Sequence, residues 1–467
     1  MAIAPLTEVL AGLWQGAALD PSALHRFRAT GLEPALPSSH AIGTALQAAL
    51  GAAALAVTEV AAARGRAPAS AEVDLMDVVH ESSCRFSLDG RVPAMWDKLS
   101  GLYRCGGDGR WVRVHANFAH HRDGVLALLG LPVGPDTGRA AVEAALGPWT
   151  AEAFESAAAD RDLVVAAVRS PAEWAAHPQA SAVAQEPLLR IERIGDAAPR
   201  AWRESEGDTP LAGLRVLELT RILAGPVAGR TLAAHGADVL LVNGPHLPNI
   251  EALAETSQGK RSALLDLRTS LDRARLQTLV READVFLQGY RPGALAARGF
   301  GEDELVALRP GVVCTSLSAY GRTGPWAGRR GFDSLVQSAT GINLAEAQAL
   351  GRAEPTALPL QALDYGAGYL LAFGTLAALL RQRREGGSWC VHVSLAGVGR
   401  WLTSLGQHAD VARVPKPDVD AALEAQASGF GLLRAVPHAA RINGQRIHWQ
   451  RPAMPPGSHA PLWPGNG

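Results

Sequence analysis

The stretch LRVLELTRILAGPVAGRTLAAHGADVLLV, residues 214–242, decides the fold. Apolar residues make a short strand of 214–220, helical spacing takes over at 224–236 and stops at Gly236, and 238–243 returns to a strand. The cycle continues downstream, with strands predicted over 262–267, 284–290 and 311–318 and a helix over 269–283. Strands alternating with helices imply a parallel, doubly wound sheet. Ligands of such sheets sit beyond the carboxyl ends of the strands, where loops and helix N-termini meet phosphates. The loops concerned are 220–226, 259–261, 288–293 and 319–330, and they are rich in Gly and Arg, as a phosphate-bearing ligand requires. No G-x-G-x-x-G or Walker A motif accompanies them.

Outward from that stretch, bulk properties narrow the function. A chain of 467 residues exceeds the roughly 250–300 at which a single core stops growing, so two or three domains are expected. Forty-four basic residues against 45 acidic ones leave a net charge of -1. No global field therefore favours nucleic acid or a membrane surface, and an anionic ligand must be met by a local cluster. The alanine-rich stretch 43–63 is interrupted by Gln47, Thr58 and Glu59, which predicts a buried or amphipathic helix rather than a membrane span. The opening MAIAPLTEVLAG has no basic segment followed by an apolar one, so a cytoplasmic location is expected. Cys84, Cys105, Cys314 and Cys390 are scattered, and the 14 histidines, adjacent His120 and His121 among them, form no H-E-x-x-H arrangement. No metal site is expected.

A repeat organises the rest. DYGAGYLLAFGTLAALLRQRREGGSWCVHVSL (364–395) aligns with AIGTALQAALGAAALAVTEVAAARGRAPASAEVDL (41–75), matching Gly43 to Gly366, Gly51 to Gly374, Val73 to Val393 and Leu75 to Leu395. Each copy reads as a helix, a polar turn and a short strand, and Asp364 faces Ala41. Between the copies, DGRWVRVH (108–115) is a turn entering a strand. Helical segments follow at 124–129, 139–146 and 151–159, then a short strand at 164–168 and a helix start at 171–174. The predicted division is 1–84, a degenerate copy of the Asp364 segment; 85–196, a small mixed α/β unit; 197–210, a charged, Pro- and Gly-bearing linker; 211–400, the large unit; and 401–467, a tail.

At this level the resemblance becomes specific. PLAGLRVLELTRILAGPVAGRTLAAHGADVLLV (210–242), GKRSALLDLR (259–268), ADVFLQGYRPGALAARGF (283–300), LRPGVVCTSLSAYGRTGPWAGRRGFDSLVQSATG (308–341) and the Asp364 helix with WCVHVSL (389–395) resemble, in order, successive blocks of family III (CaiB/BaiF-type) coenzyme-A transferases. Residues 102–193, with the DGRWVRV turn and SPAEWAAHPQA (170–180), resemble the family's small domain, and RPAMPPGSHAP (451–461) its closing segment. Here the small domain precedes the large one, so the chain resembles a truncated copy fused ahead of a second copy. The resemblance implies a Rossmann-like large domain with a smaller mixed α/β domain, in a dimer of interlocked subunits or paired with a related chain. It implies no permanently bound cofactor: coenzyme A and its acyl thioester are substrates, together with a small carboxylic acid.

The implied chemistry rests on a carboxylate without a partner base. Asp364 attacks an acyl-CoA to give a mixed anhydride and CoA thiolate; the thiolate re-adds to form an aspartyl-CoA thioester, and an acceptor carboxylate takes the CoA in reverse sequence. Read alone, an aspartate at a helix start is an N-cap, but beside a Gly-rich turn it is expected to gain from the helix dipole and backbone donors. The resemblance places coenzyme contacts at Arg221, Ala224, Leu265, Leu267, Arg268, Gly289, Tyr290, Arg298 and Arg330, the arginines suiting phosphates through bidentate contacts. Lys260 and Arg261 read equally as fold-maintaining. Two features depart from the family: Asn243-Gly-Pro-His-Leu-Pro stands where a glutamate is common, and no Gly-rich flap has a match. Two alternatives remain. A racemase of α-methylacyl-CoA thioesters uses a histidine where this chain has Phe332, which cannot exchange a proton. An inactive CoA-binding partner subunit would account for Ala41 and the rearranged order.

Overall fold

The computed structural model describes residues 3–203, 207–409 and 411–464. An amino-terminal block comprises α1 (Leu6–Gly16), β1 (Phe27–Thr30), α2 (Ile42–Ala63), β2 (Ala71–Asp74), α3 (Leu75–Glu81) and β3 (Phe86–Leu88). A small unit follows. Its antiparallel sheet is β4 (Gly101–Arg104), β5 (Trp111–Val114) and β6 (Val165–Ala167), with α4 (Ala119–Leu128), α5 (Arg139–Ala145) and α6 (Ala151–Ala159) between the last two strands, then α7 (Pro171–Ala175) and α8 (Pro178–Gln185).

The large unit contains β7 (Arg190–Gly195), β8 (Arg215–Leu219), α9 (Ala224–Ala234), β9 (Asp238–Asn243), α10 (Leu253–Thr256), β10 (Arg261–Leu264), α11 (Ser270–Glu282) and β11 (Val285–Gln288). It continues with α12 (Glu302–Leu308), β12 (Val313–Ser318), α13 (Asp333–Ala339), α14 (Ile342–Ala349), α15 (Ala362–Glu385), β13 (Ser388–Ser394) and α16 (Leu395–Ser404). The tail adds β14 (Glu424–Ser428), β15 (Gly431–Ala435), β16 (Ala440–Ile442) and β17 (Gln445–Arg446).

The large sheet has the order β10-β9-β8-β11-β12-β13-β7, parallel throughout except for β7, which runs antiparallel to β13. This is the α/β, Rossmann-like architecture expected, with a smaller mixed α/β unit beside it. Alternate strand residues point to opposite faces. Val216, Val239, Val285, Val313 and Val391 join the core with α9 and α15, whereas Leu217, Leu240, Phe286 and Cys314 join the core with α11 and α12. Every residue of β13 is buried, as a strand covered on both faces must be. Strand order reverses between β8 and β11, and that reversal opens a crevice beyond their carboxyl ends.

The alanine-rich stretch became α2, which lies against α15 inside the fold. Both helices are long and apolar enough to cross a membrane by composition, yet 89% and 94% of their most apolar windows are buried within the protein. Small side chains let such helices approach closely and bury one another.

Four boundaries differ from the sequence reading. β7, assigned to the small unit, pairs with β13, because the sheet's last parallel strand needs a partner on its outer edge. The 401–467 tail is no separate piece: β15 pairs with β3 and β16 with β2, so the edges of the amino-terminal block are covered by chain from the other end. The expected linker 197–210 is pinned where it is described, Arg200 and Arg203 binding Asp284 at 3.0 and 2.7 Å; its residues 204–206 lie outside the described residues. Finally, α4 starts at Ala119 rather than 124, which puts His120 and His121 in its first turn.

Candidate active site

The crevice at the strand-order reversal is a cleft of about 700 Å³. Its floor comes from Leu219 at the end of β8, Val242 and Asn243 at the end of β9, Gly289 after β11 and Leu317–Ala319 at the end of β12. Asp364 reaches it from α15, and Phe118, His120 and His121 come in from the small unit. Arg221, Ala224, Leu265, Leu267, Arg268, Gly289, Tyr290, Arg298, Arg330 and Asp364 all line this one cleft. Residues up to 143 positions apart in the chain are thus assembled by sheet topology alone, each sitting just past a parallel strand or at a helix start.

The arginines are held differently. Arg268 forks onto Asp266 at 2.7 Å with its side chain mostly exposed, and Arg298 donates to the Leu267 carbonyl at 3.2 Å. Arg221 donates to the Pro248 carbonyl and lies 5.2 Å over the Phe118 ring; its Nε has no hydrogen-bond partner among the described residues. Arg330 is 3.7 Å from Asp162 of the small unit, and its Nε is likewise unpartnered. Burial lowers the pKa of both Arg221 and Arg330, and each also feels a cationic neighbour, Arg330 in the first case and Arg291 in the second. Arg268 and Arg330 thus have carboxylates near them, whereas Arg221 and Arg298 are held by backbone carbonyls and keep cationic charge at the cleft. Lys260 does not share in this. It is fully buried, donating to Glu218 and to the Pro226 carbonyl at 2.8 Å each, while Arg261 binds Asp238 at 3.0 Å; both maintain the fold.

Asp364 is 7% exposed and is the third residue of α15, so it is not an N-cap. The helix-start amides expected to stabilise its carboxylate are engaged elsewhere. Asp333, at the start of α13, accepts the N–H groups of Leu363 and Asp364 at 2.8 and 2.9 Å and the side-chain amide of Gln337. Among the described residues the Asp364 carboxylate accepts no hydrogen bond. Burial raises its pKa well above the ordinary carboxylate range, and the negative charge of Asp333 raises it further. Burial also raises Asp333 to about 6, opposed by the donors it accepts. Asp333 is the better hydrogen-bonded partner and holds the charge first; Asp364 is a basic carboxyl without donors, facing the cleft. Close approach of α9 completes the setting: a Cβ at Gly368 would lie 2.7 Å from the Ala224 carbonyl oxygen. Leading into α9, Ile222 adopts φ +75, an unfavourable conformation for a β-branched residue, and it too lines the cleft.

Phe332 stacks on His115 of the small unit at 4.0 Å, so the position that would need a proton-exchanging group is a packed phenyl ring. Sequence reasoning missed Asp333, although it lies inside the GFDS block, because an acidic residue at a helix start reads as ordinary capping. It also missed Phe118, His120 and His121. The aromatic run FAHH was the available signal, but only the meeting of the two units shows which way it faces.

Comparison with known proteins gives the family. The family model described as CoA-transferase family III matches residues 211–430. A probable fatty acyl-CoA transferase of Mycobacterium tuberculosis is 32% identical over 267 residues, covering 52% of this chain and 67% of that protein. An acyl-CoA transferase of Gibberella moniliformis is 31% identical over 316 residues, covering 64% of this chain and 55% of its own. A succinate–glutarate CoA-transferase of Agrobacterium fabrum is 32% identical over 208 residues, 40% of this chain and 52% of the relative. This chain thus spans about half to two thirds of the length of these relatives. Among solved structures, a CaiB/BaiF family protein from Brucella suis is 26% identical with a TM-score of 0.38, covering 48% of this chain and 65% of that one.

Proposed function

The chain belongs to CoA-transferase family III, and from that premise we propose that it moves coenzyme A from an acyl-CoA to a carboxylic acid through Asp364. The observation that carries this reading is the pairing of one largely buried carboxyl, facing the cleft, with several arginines that line the same cleft. The arginine end suits the phosphates of the coenzyme, and the carboxyl end suits the thioester.

In the forward half, the Asp364 carboxylate forms a C–O bond to the thioester carbon, and the C–S bond breaks to release CoA thiolate. The thiolate then attacks the aspartyl carbonyl of the anhydride, expels the acyl group as a free carboxylate and leaves an aspartyl-CoA thioester. The acceptor carboxylate repeats the first step on that thioester. The released thiolate attacks the acceptor's carbonyl and restores Asp364 as the leaving carboxylate. Once Asp364 is ionised, no proton is transferred at any step. Poor solvation favours nucleophilic attack once Asp364 is ionised, and its burial keeps water from the anhydride. The proposed substrates are accordingly an acyl-CoA and a small carboxylic acid, with no resident cofactor and a cytoplasmic setting. The proposed assembly is a homodimer or a pairing with a related chain, and the segment 41–75 is a degenerate copy of 364–395.

The test is to incubate the purified chain with short dicarboxylic, hydroxy and branched acyl-CoAs plus candidate acids, and to read new acyl-CoA species by mass spectrometry. Transfer is expected with at least one donor–acceptor pair and none from Asp364→Ala, whose CoA affinity stays close to that of the parent. Turnover by Asp364→Ala would overturn the mechanism. Deuterium entering the α-carbon without any transfer would replace the transferase reading with isomerisation.

A further inference from the structure

His121 lies in the first turn of α4, 3% exposed, yet it lines the cleft. Neither ring nitrogen has a hydrogen-bond partner among the described residues. A buried imidazole with an unmet N–H is destabilising unless something else supplies the acceptor. Its ring faces carbon on several sides: it meets Phe118 edge-on at 5.7 Å and Phe332 at 6.3 Å, and it tilts against His120 at 4.1 Å. The phenyl rings offer no strong acceptor, and neither nitrogen of His121 is hydrogen-bonded to the His120 imidazole. The titratable groups that perturb it are His120, then Arg330 and Arg221, all lowering its pKa, and Asp162, which opposes them. Burial with those cations pushes its pKa down to about 3, so the ring is an uncharged donor at neutral pH.

Arg221 is incompletely used as well, its Nε without a hydrogen-bond partner among the described residues, and the Arg330 Nε has only the carboxylate of Asp162, 3.7 Å away. The nearest carboxylate is that of Asp162, mostly exposed, 2.6 Å from Arg291 and 3.7 Å from Arg330. Its closer partner is Arg291, which leaves the longer Arg330 contact weak. The His121 ring and the Arg221 and Arg330 guanidiniums, from two units, thus line one cleft with donors that the protein meets incompletely or not at all.

We propose that His121, Arg221 and Arg330 form a single oxyanion subsite spanning the junction of the small and large units, and that His121 donates its N–H to the bound group. The inference rests on the proposed coenzyme cleft and adds a contact from the small unit to it. A phosphate of the coenzyme and a carboxylate of the acid substrate share this chemistry. His121 is then a substrate-binding group, and the small unit belongs to the site rather than merely covering it.

The experiment titrates the full chain, by calorimetry, with coenzyme A, with dephospho-coenzyme A and with glutarate, comparing the parent with His121→Phe and His121→Asn. Phenylalanine keeps the ring packing and removes the donor, whereas asparagine keeps a donor. If a coenzyme phosphate occupies the subsite, His121→Phe weakens coenzyme A about tenfold or more, and His121→Asn restores much of the affinity. Persistence of the ratio with dephospho-coenzyme A assigns the diphosphate; its disappearance assigns the 3′-phosphate. If the acid substrate occupies it, coenzyme binding is unchanged and glutarate binding is lost selectively in His121→Phe. Equal affinities of parent and His121→Phe for both ligands, or equal weakening by both variants, overturns the inference while leaving the coenzyme cleft intact. A parent chain that binds neither coenzyme nor glutarate overturns both.

Discussion

α2 and α15 share a local architecture and differ in use. Both are long buried helices, of 22 and 24 residues, followed by a turn, a strand and another helix. The strands even share neighbours of the same sense: β2 has parallel β1 on one side and antiparallel β16 on the other, and β13 has parallel β12 and antiparallel β7. The helix starts differ. At α15, Asp364 looks into a cleft and Asp333 occupies the first amides. At α2, Ala41 is fully buried, and the Glu33 carboxylate accepts the Thr44 N–H at 2.6 Å. No residue of α2 is among those lining the cleft. Both starts have their amides met by a carboxylate, but only α15 turns an acidic side chain toward a ligand-sized space; the α2 start is closed. Function sits at the end that stability has not optimised.

The sharpest way to break the contrast is to remove the one carboxylate. Asp364→Asn is expected to lower kcat/KM for transfer by at least about 10⁴-fold. It should also make the protein more stable near pH 7, by about 0.5–2 kcal/mol. The sign follows from linkage. A carboxyl whose folded pKa is raised binds a proton that the unfolded chain has lost, so its contribution to stability falls as pH rises above the ordinary aspartate range. Melting scans at about pH 4 and pH 7 check this, the gain appearing only at the higher pH.

The reverse exchange should not create a second site. Ala41→Asp places a carboxylate in a fully buried position with no cleft around it, and is expected to destabilise by roughly 3–5 kcal/mol in urea denaturation. Transfer by an intact Asp364 in the same chain should keep its kcat wherever the protein remains folded.

A smaller change sharpens the helix comparison. Gly368 aligns with Ala45, so Gly368→Ala makes α15 more like α2. The added methyl meets the Ala224 carbonyl and Val227, at a cost of about 1–3 kcal/mol, and moves Asp364 relative to the cleft. Loss of kcat with little change in coenzyme affinity is the expected pattern.

The mildest test uses pH. Removing the charge of Asp333 lowers the pKa of Asp364, because one of the two causes of its rise disappears. In Asp333→Asn the acidic limb of the kcat/KM profile should therefore move to lower pH, leaving the variant faster relative to its own maximum near pH 5 than the parent. A limb that stays in place would remove Asp333 from the site's electrostatics.

Much of this was legible in the sequence, for identifiable reasons. Strand–helix alternation over 214–318 fixes the sheet class, since buried parallel strands must be apolar runs; β9 matches its predicted bounds of 238–243. Ten widely spaced residues gather in one cleft because ligand contacts in such sheets follow strand ends. What stayed hidden depends on pairs of distant elements. No local pattern tells that β7 will close the large sheet or that β16 will cover β2. The Asp333–Asp364 relation joins two helix starts 31 residues apart, and the His121 wall exists only where two units meet.

The central claim is that the chain has one nucleophile and that it sits on α15, with none on its α2 counterpart. Its most direct test is to quench the chain with hydroxylamine during turnover with an acyl-CoA and map the modified peptide by mass spectrometry. A hydroxamate at Asp364, absent in Asp364→Asn, is the predicted result. Transfer that proceeds with an adduct at another residue, or with no enzyme-bound acyl or CoA species at all, would contradict it.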